Sequence, residues 1–201
     1  MVRWLHPIIT LALWICCLGG SPLPATPSWV VERGSWLSIE GSSNVNHFTC
    51  EVRQYLLADT LRWVRDERTR KLMFRNSAVR IDVQQFDCHH KFITVDLKKT
   101  LKASQYPYLR IHFMSIEDLT WVQEGATVRG QLIIELAGVR KPVDIEYKVL
   151  HGQGGRFRLN GSKHLRLTDF HLQPPSKLAG LIRIDEDIRV NFELQFRPIE
   201  S

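Results

Sequence analysis

Residues 188–196 read IRVNFELQF. Ile188, Val190, Phe192, Leu194 and Phe196 are apolar, and Arg189, Asn191, Glu193 and Gln195 between them are polar. Strict alternation over nine residues makes a β-strand with one dry face and one wet face. What the dry face meets decides the fold: a second sheet, a helix, membrane lipid, or a cavity that holds something greasy.

The same period recurs upstream. "WLSIEGSSNVNHFTCEV" (36–52) reads as a strand to about Gly41, a turn at Ser42 to Asn44 and a second strand. "AVRIDVQQF" (78–86), "YLRIHF" (108–113), "TVRGQLIIEL" (127–136) and "VDIEYKV" (143–149) alternate likewise. Gly138 within Ala137–Pro142, "HGQGG" (151–155) and Asn160-Gly161 are turn signals. At least eight candidate strands joined by short links favour antiparallel pairing, because parallel pairs need long crossovers. A sandwich and a closed barrel both fit, and eight strands can close around one ligand. Alternation alone does not choose between them.

Two stretches break the period. In "DLKKTLKASQYP" (96–107), Leu97 and Leu101 are four apart and Pro107 stops the pattern, which predicts a short helix beginning after Thr94 or Val95. "DTLRWVRDERTRK" (59–71) is a basic segment, read foremost as a solvated hairpin or loop. "LRLTDFHLQPPSKLAG" (165–180) ends a strand near Asp169-Phe170, and Pro174-Pro175 bars a continuing central strand. Asp185, Glu186 and Asp187 read as a solvated turn before the last strand.

The chain has 201 residues, 44% apolar and 24% charged, an ordinary composition for one globular domain. Residues 1–25 carry Arg3, an apolar run from about Ile8 to Leu18, then small residues and prolines. That is the layout of a secretory signal peptide, with an apolar run short of the ~20 residues a spanning helix needs. The expected location is therefore the periplasm. Lipid attachment at Cys16 or Cys17 is the weaker reading. Residues 26–34 form an approach segment, and 35–199 the domain.

Without residues 1–25, which carry only Arg3, the net charge of +6 falls to +5. A basic exported chain suits contact with an anionic membrane surface. Nucleic acid fits poorly, for there is no zinc-finger spacing and no helix-turn-helix pattern. The two cysteines of the exported part, Cys50 and Cys88, form an even pair and are expected to be bridged. The alternative is two inert buried thiols on strands that never meet.

Cys88, His89 and His90 stand in a row, but neighbouring strand residues face opposite ways. His47 or His112 would have to complete a metal site, and no metal-ligand spacing is present. No Gly-x-Ser-x-Gly, His-Glu-x-x-His or phosphate-binding glycine loop occurs. No catalytic residue, metal or cofactor is expected, and the chain does not read as an enzyme.

Four segments in order resemble the YceI-like family of exported bacterial lipid-binding proteins. They are "WLSIEGSSNVNHFTC" (36–50), "KTLKASQYPYLRIHF" (99–113), "GATVRGQLIIELAGVRKPVDIEY" (125–147) and "LTDFHLQPP" (167–175). Asn44-Val45-Asn46, Cys50, Asp87-Cys88 and Pro174-Pro175 look most like Bacteroidetes members. The resemblance spans roughly residues 35 to 197. It departs from the family in the long basic segment 59–71 and in Gly138-Val139-Arg140 where the family has Gly-x-Thr.

The resemblance implies an all-β fold: an extended eight-stranded antiparallel β-barrel of lipocalin type with one to three short helices. It also implies a lumen for a polyisoprenoid, an isoprenoid quinone or a similar amphiphile. The residues expected to line it are Leu109, Ile111, Phe113, Val128, Leu132, Ile134, Ile145, Tyr147, Val190, Phe192 and Leu194. Two alternatives use the same alternation: a small outer-membrane barrel with lipid outside, and a structural protein with a packed core and no ligand. The oligomeric state is left open.

Overall fold

The computed structural model describes residues 26–52, 55, 57–174, 176–177 and 182–199. The expected signal peptide at 1–25, with Cys16 and Cys17, lies outside the described residues, as does Pro175. Twelve strands are described: β1 (Ser28–Val31), β2 (Trp36–Ser43), β3 (His47–Val52), β4 (Thr60–Asp66), β5 (Lys71–Arg75), β6 (Ala78–Asp82), β7 (Tyr108–Glu117), β8 (Thr127–Leu136), β9 (Val139–His151), β10 (Phe157–Arg166), β11 (Ser176–Lys177) and β12 (Ile182–Ile199). One α-helix, α1 (Lys91–Thr100), precedes β7.

The strands form one antiparallel sheet in the order β1-β4-β5-β7-β8-β9-β10-β12-β2-β3, with β6 added to β7 and β11 to β12. The long β12 organises it. Its whole middle pairs with β10, from Phe157↔Phe196 to Arg166↔Asp187. Its C-terminal end pairs with β1 and its N-terminal half with β2, with a bulge between Ile184 and Ile188. Asp185, Glu186 and Asp187 thus lie inside a strand rather than in a turn.

The expectation of an eight-stranded closed barrel is corrected. The sheet curves into an incomplete ring of more than eight strands. β1 draws one end together by pairing with both β4 and β12. At the other end no ladder joins β3 to β6 among the described residues; one isolated bridge, Glu51↔Asp87, spans that side. The cause is local. After Asp82 the chain leaves the sheet in a 3-10 turn, where the Asp82 side chain accepts from the Gln84 N–H. The predicted strand 78–86 is cut short, and α1 follows. The Cys50–Cys88 disulfide closes the same gap covalently, with Cα atoms 3.8 Å apart. Arg80 of β6 donates from its backbone and guanidinium to Asp59, which also accepts from the Tyr55 hydroxyl. These contacts tie Tyr55 and Asp59 to β6.

The basic segment 59–71 is a hairpin, β4–β5, whose inner face belongs to the core: Leu61 and Leu72 are fully buried. The turn between β8 and β9 is two residues long, with Ala137 at φ 50° and Gly138 at φ 81°. Both are left-handed, as the twist of a tight hairpin demands. Asn160-Gly161, read as a turn, lies mid-strand in β10. Glycine serves close packing there, because a Cβ on Gly161 would come within 2.4 Å of the Phe192 ring and 2.9 Å of the Glu146 carbonyl oxygen.

Candidate functional site: an apolar cavity under a helix

The two ends of the ring are filled differently. At the end drawn together by β1, Trp29 packs against Trp63, Phe74, Phe157 and Phe196, at ring-centroid distances of 4.9 to 5.7 Å. Phe157 stacks on Phe196 at 5.1 Å, and Phe74 meets Phe113 at 5.4 Å. That end is solid.

The other end is hollow. A cavity of about 490 Å³ opens there, within the usual size range of small-ligand sites. Its walls are Leu37 and Ile39 of β2, Leu109 and Ile111 of β7, Ile134 and Leu136 of β8, Leu165 of β10, and Ile188 and Val190 of β12. Strand alternation explains the greasy lining, since every second residue of each strand faces inward. Ile111, Ile134, Leu165 and Val190 point to the same interior as buried Phe113, Leu132, Leu159 and Leu194, yet they are only half-buried. They pack against the core on one side and border the cavity on the other.

Helix α1 roofs this space. Ile93 and Leu97, four apart, turn toward the cavity, with Thr100 and Asp96 beside them. No residue of α1 is buried. A ten-residue helix is marginal on its own and ordinarily gains its stability from tertiary packing. Here it is held at its ends. The Cys50–Cys88 bridge sits just before it, the Cys88 N–H donates to the Thr94 hydroxyl, and Leu101 and Ala103 are buried just after it. Lys98 and Lys99 in its last turn complement the C-terminal dipole.

The mouth lies between the start of α1 and the β2–β3 turn. Phe92 and Val45 both line the cavity and are 69% and 66% exposed. His90, Asn46 and Ser43 are its polar rim. Ser43 Oγ donates to the Asn46 carbonyl and accepts from the Val45 and Asn46 N–H groups, so its capacity is spent in shaping the turn.

Of the residues expected to line a lumen, Leu109, Ile111, Ile134 and Val190 line this cavity. Phe113, Val128, Leu132, Ile145, Tyr147 and Leu194 are buried in the core away from it. Phe192 is half-buried and packs edge-on against Tyr147 at 5.8 Å, off the lining. Sequence reasoning missed the inner face of α1 and the β2–β3 turn. The Ile93–Leu97 spacing carries the first signal, and the helix begins at Lys91, ahead of the start after Thr94 or Val95 that Leu97 and Leu101 predict.

The row Cys88-His89-His90 separates into three roles. Cys88 is bridged, His89 lies 3.6 Å from Glu51, and His90 rests against Phe92 at the mouth. Among the described residues no three His, Cys, Asp or Glu side chains cluster as a metal site.

Side chains with displaced ionisation lie off the cavity. Burial pushes the Tyr147 phenol up. Burial also pushes the Glu135 carboxyl up, but hydrogen bonds from His112 and Arg110 outweigh it and hold that group below its usual range on the outer face. The outer face of β8 and β9 carries charge, with exposed Arg140, Asp144, Glu146 and Lys148 along β9 and an Arg129–Glu146 pair at 3.3 Å. Lipid against such a face would cost several kcal/mol per charge at mid-membrane depth, which opposes an outer-membrane barrel.

Solved structures share this fold. A polyisoprenoid binding domain from Saccharophagus degradans, implicated in plant cell wall breakdown, superposes with a TM-score of 0.59 at 13% identity, covering 84% of this chain and 97% of that one. Burkholderia cenocepacia BcnA gives 0.59 at 13% identity, over 80% and 95%. The Campylobacter jejuni YCEI protein gives 0.50 at 16%, over 70% and 81%. At these identities the likeness is one of fold. No protein-family model matches the sequence, and no curated protein matches it.

Proposed function

We propose that this protein is a non-catalytic binding protein of the periplasm that shelters a long apolar chain in the cavity beneath α1. One observation carries the reading: an apolar cavity of about 490 Å³ lies under a helix none of whose residues is buried. Without a ligand, apolar surface of that extent would forfeit contacts that a packed interior makes. A bound hydrocarbon restores them. Each methylene moved from water contributes about 0.8 kcal/mol, against an association cost on the order of 4–15 kcal/mol, so a short alkyl group would not bind and a long one would. The shared fold of the Saccharophagus degradans polyisoprenoid binding domain makes a polyisoprenoid, an isoprenoid quinone or a similar amphiphile the leading ligand class. Placement in the periplasm rests on the leader-like residues 1–25.

The test is to fill the cavity. Val190 lines it from the middle of β12, opposite Ile39 of β2 and Lys163 of β10. Val190→Trp is expected to lower uptake of a long-chain polyprenol at least about tenfold, or about 1.4 kcal/mol. The melting temperature should stay within a few degrees of the parent, because the added ring enters the cavity rather than the packed core. Unchanged uptake would show that the ligand does not occupy this cavity.

A further inference from the structure

We propose that the mouth of the cavity docks on an anionic bilayer through the outer face of α1. The inference rests on the binding reading for its purpose, since a ligand drawn from a membrane must pass through the mouth. The surface itself rests on separate observations. Phe92 is 69% exposed and Val95 56%, two large apolar side chains three residues apart on a short helix. Val45 across the mouth is exposed as well.

Around this apolar patch stand Lys91, Lys98 and Lys99, with Lys102 just beyond the helix. None of the four makes an ion pair among the described residues. Asp96 is the sole acid of α1, and it faces the cavity side. Asp185 and Glu186, acids of β12 at the same end, accept hydrogen bonds from Ser42 and Thr168. The helix is thus the basic side of the mouth.

Apolar residues flanked by lysines on one helix face are the composition of a segment that lies in the headgroup layer. Lysines near an anionic surface add attraction that falls off within a Debye length. Phe92 and Val45 belong both to the exposed patch and to the cavity lining. The bilayer contact and the opening are therefore continuous, and a chain leaving the membrane would enter without crossing water.

Flotation of the full chain with vesicles tests the surface. Residues 1–25 are common to every variant, so differences between variants report the mouth. The wild type is expected to float with phosphatidylcholine vesicles containing phosphatidylglycerol and less with phosphatidylcholine alone. The triple variant Lys91→Glu, Val95→Ser, Lys99→Glu is expected to lose association at least about tenfold. None of these three side chains lines the cavity, so uptake of cis-parinaric acid without vesicles should be unchanged. Trp121→Ser removes a 90% exposed side chain elsewhere and should float like the wild type.

Equal flotation of the triple variant and the wild type, with probe uptake intact in both, overturns the docking surface and leaves the cavity reading standing. Loss of flotation in the variant, with no probe uptake by either protein, keeps the surface and overturns the cavity reading. A concentration-dependent dimer that the triple variant abolishes, without vesicle binding, assigns the face to a second copy and also overturns the proposal.

Discussion

Trp29→Ala is expected to destabilise the protein by roughly 3–5 kcal/mol, the range for removing a large buried aromatic side chain. Trp29 is 5% exposed and touches four other aromatic rings. The consequence exceeds one lost contact, because β1 is the strand that pairs with both β4 and β12. Against a typical stability of about 5–15 kcal/mol, such a loss leaves a marginal fold. Urea unfolding should show a lower midpoint with an unchanged slope. A shift worth less than about 1 kcal/mol would mean that the aromatic cluster does not hold that end of the ring.

The second large effect concerns the disulfide. Replacing Cys50 and Cys88 together by serine should cost roughly 3–4 kcal/mol, the chain-entropy value for a loop of this size, the two cysteines lying 38 positions apart in the sequence. The bridge also spans the side of the ring that no ladder closes among the described residues, and it sits just before α1. Hydrogen exchange in residues 88–100 should therefore rise more than in β8 and β9. Equal stability of parent and double variant, or a uniform rise in exchange, would contradict this role for the bridge.

How much of this was legible in the sequence depends on distance along the chain. The alternation at 188–196 located the body of β12, and the same period found β7, β8 and β9, because the direction of a side chain in a strand is a local property. Pairing is not local. Nothing in "AVRIDVQQF" announces that the strand stops at Asp82, because the Asp82–Gln84 turn competes with the ladder there. Gly161 looked like a turn residue next to Asn160, and its real reason, the Phe192 ring, comes from a strand thirty residues on.

The cavity was harder still. Ile134 and Leu132 are the same kind of side chain on the same face of one strand. One lines the cavity and the other is buried in the core. The difference is set by what arrives from elsewhere: β1 with Trp29 at one end, and a tethered helix that does not fill the other. The basic segment 59–71 is the hairpin its charge suggested, and what the charge hides is its apolar inner face. Its arginines face water while Leu61 and Leu72 hold the hairpin to the core.

The most direct test of the central claim is native mass spectrometry of the protein isolated without detergent from the cells that make it, followed by extraction of whatever it carries. The expected result is a population heavier than the polypeptide, which loses a single long-chain amphiphile on denaturation, and which Val190→Trp largely lacks. Polypeptide mass alone, with no uptake when polyprenol is supplied, would contradict it and leave the cavity as no more than a gap in the packing.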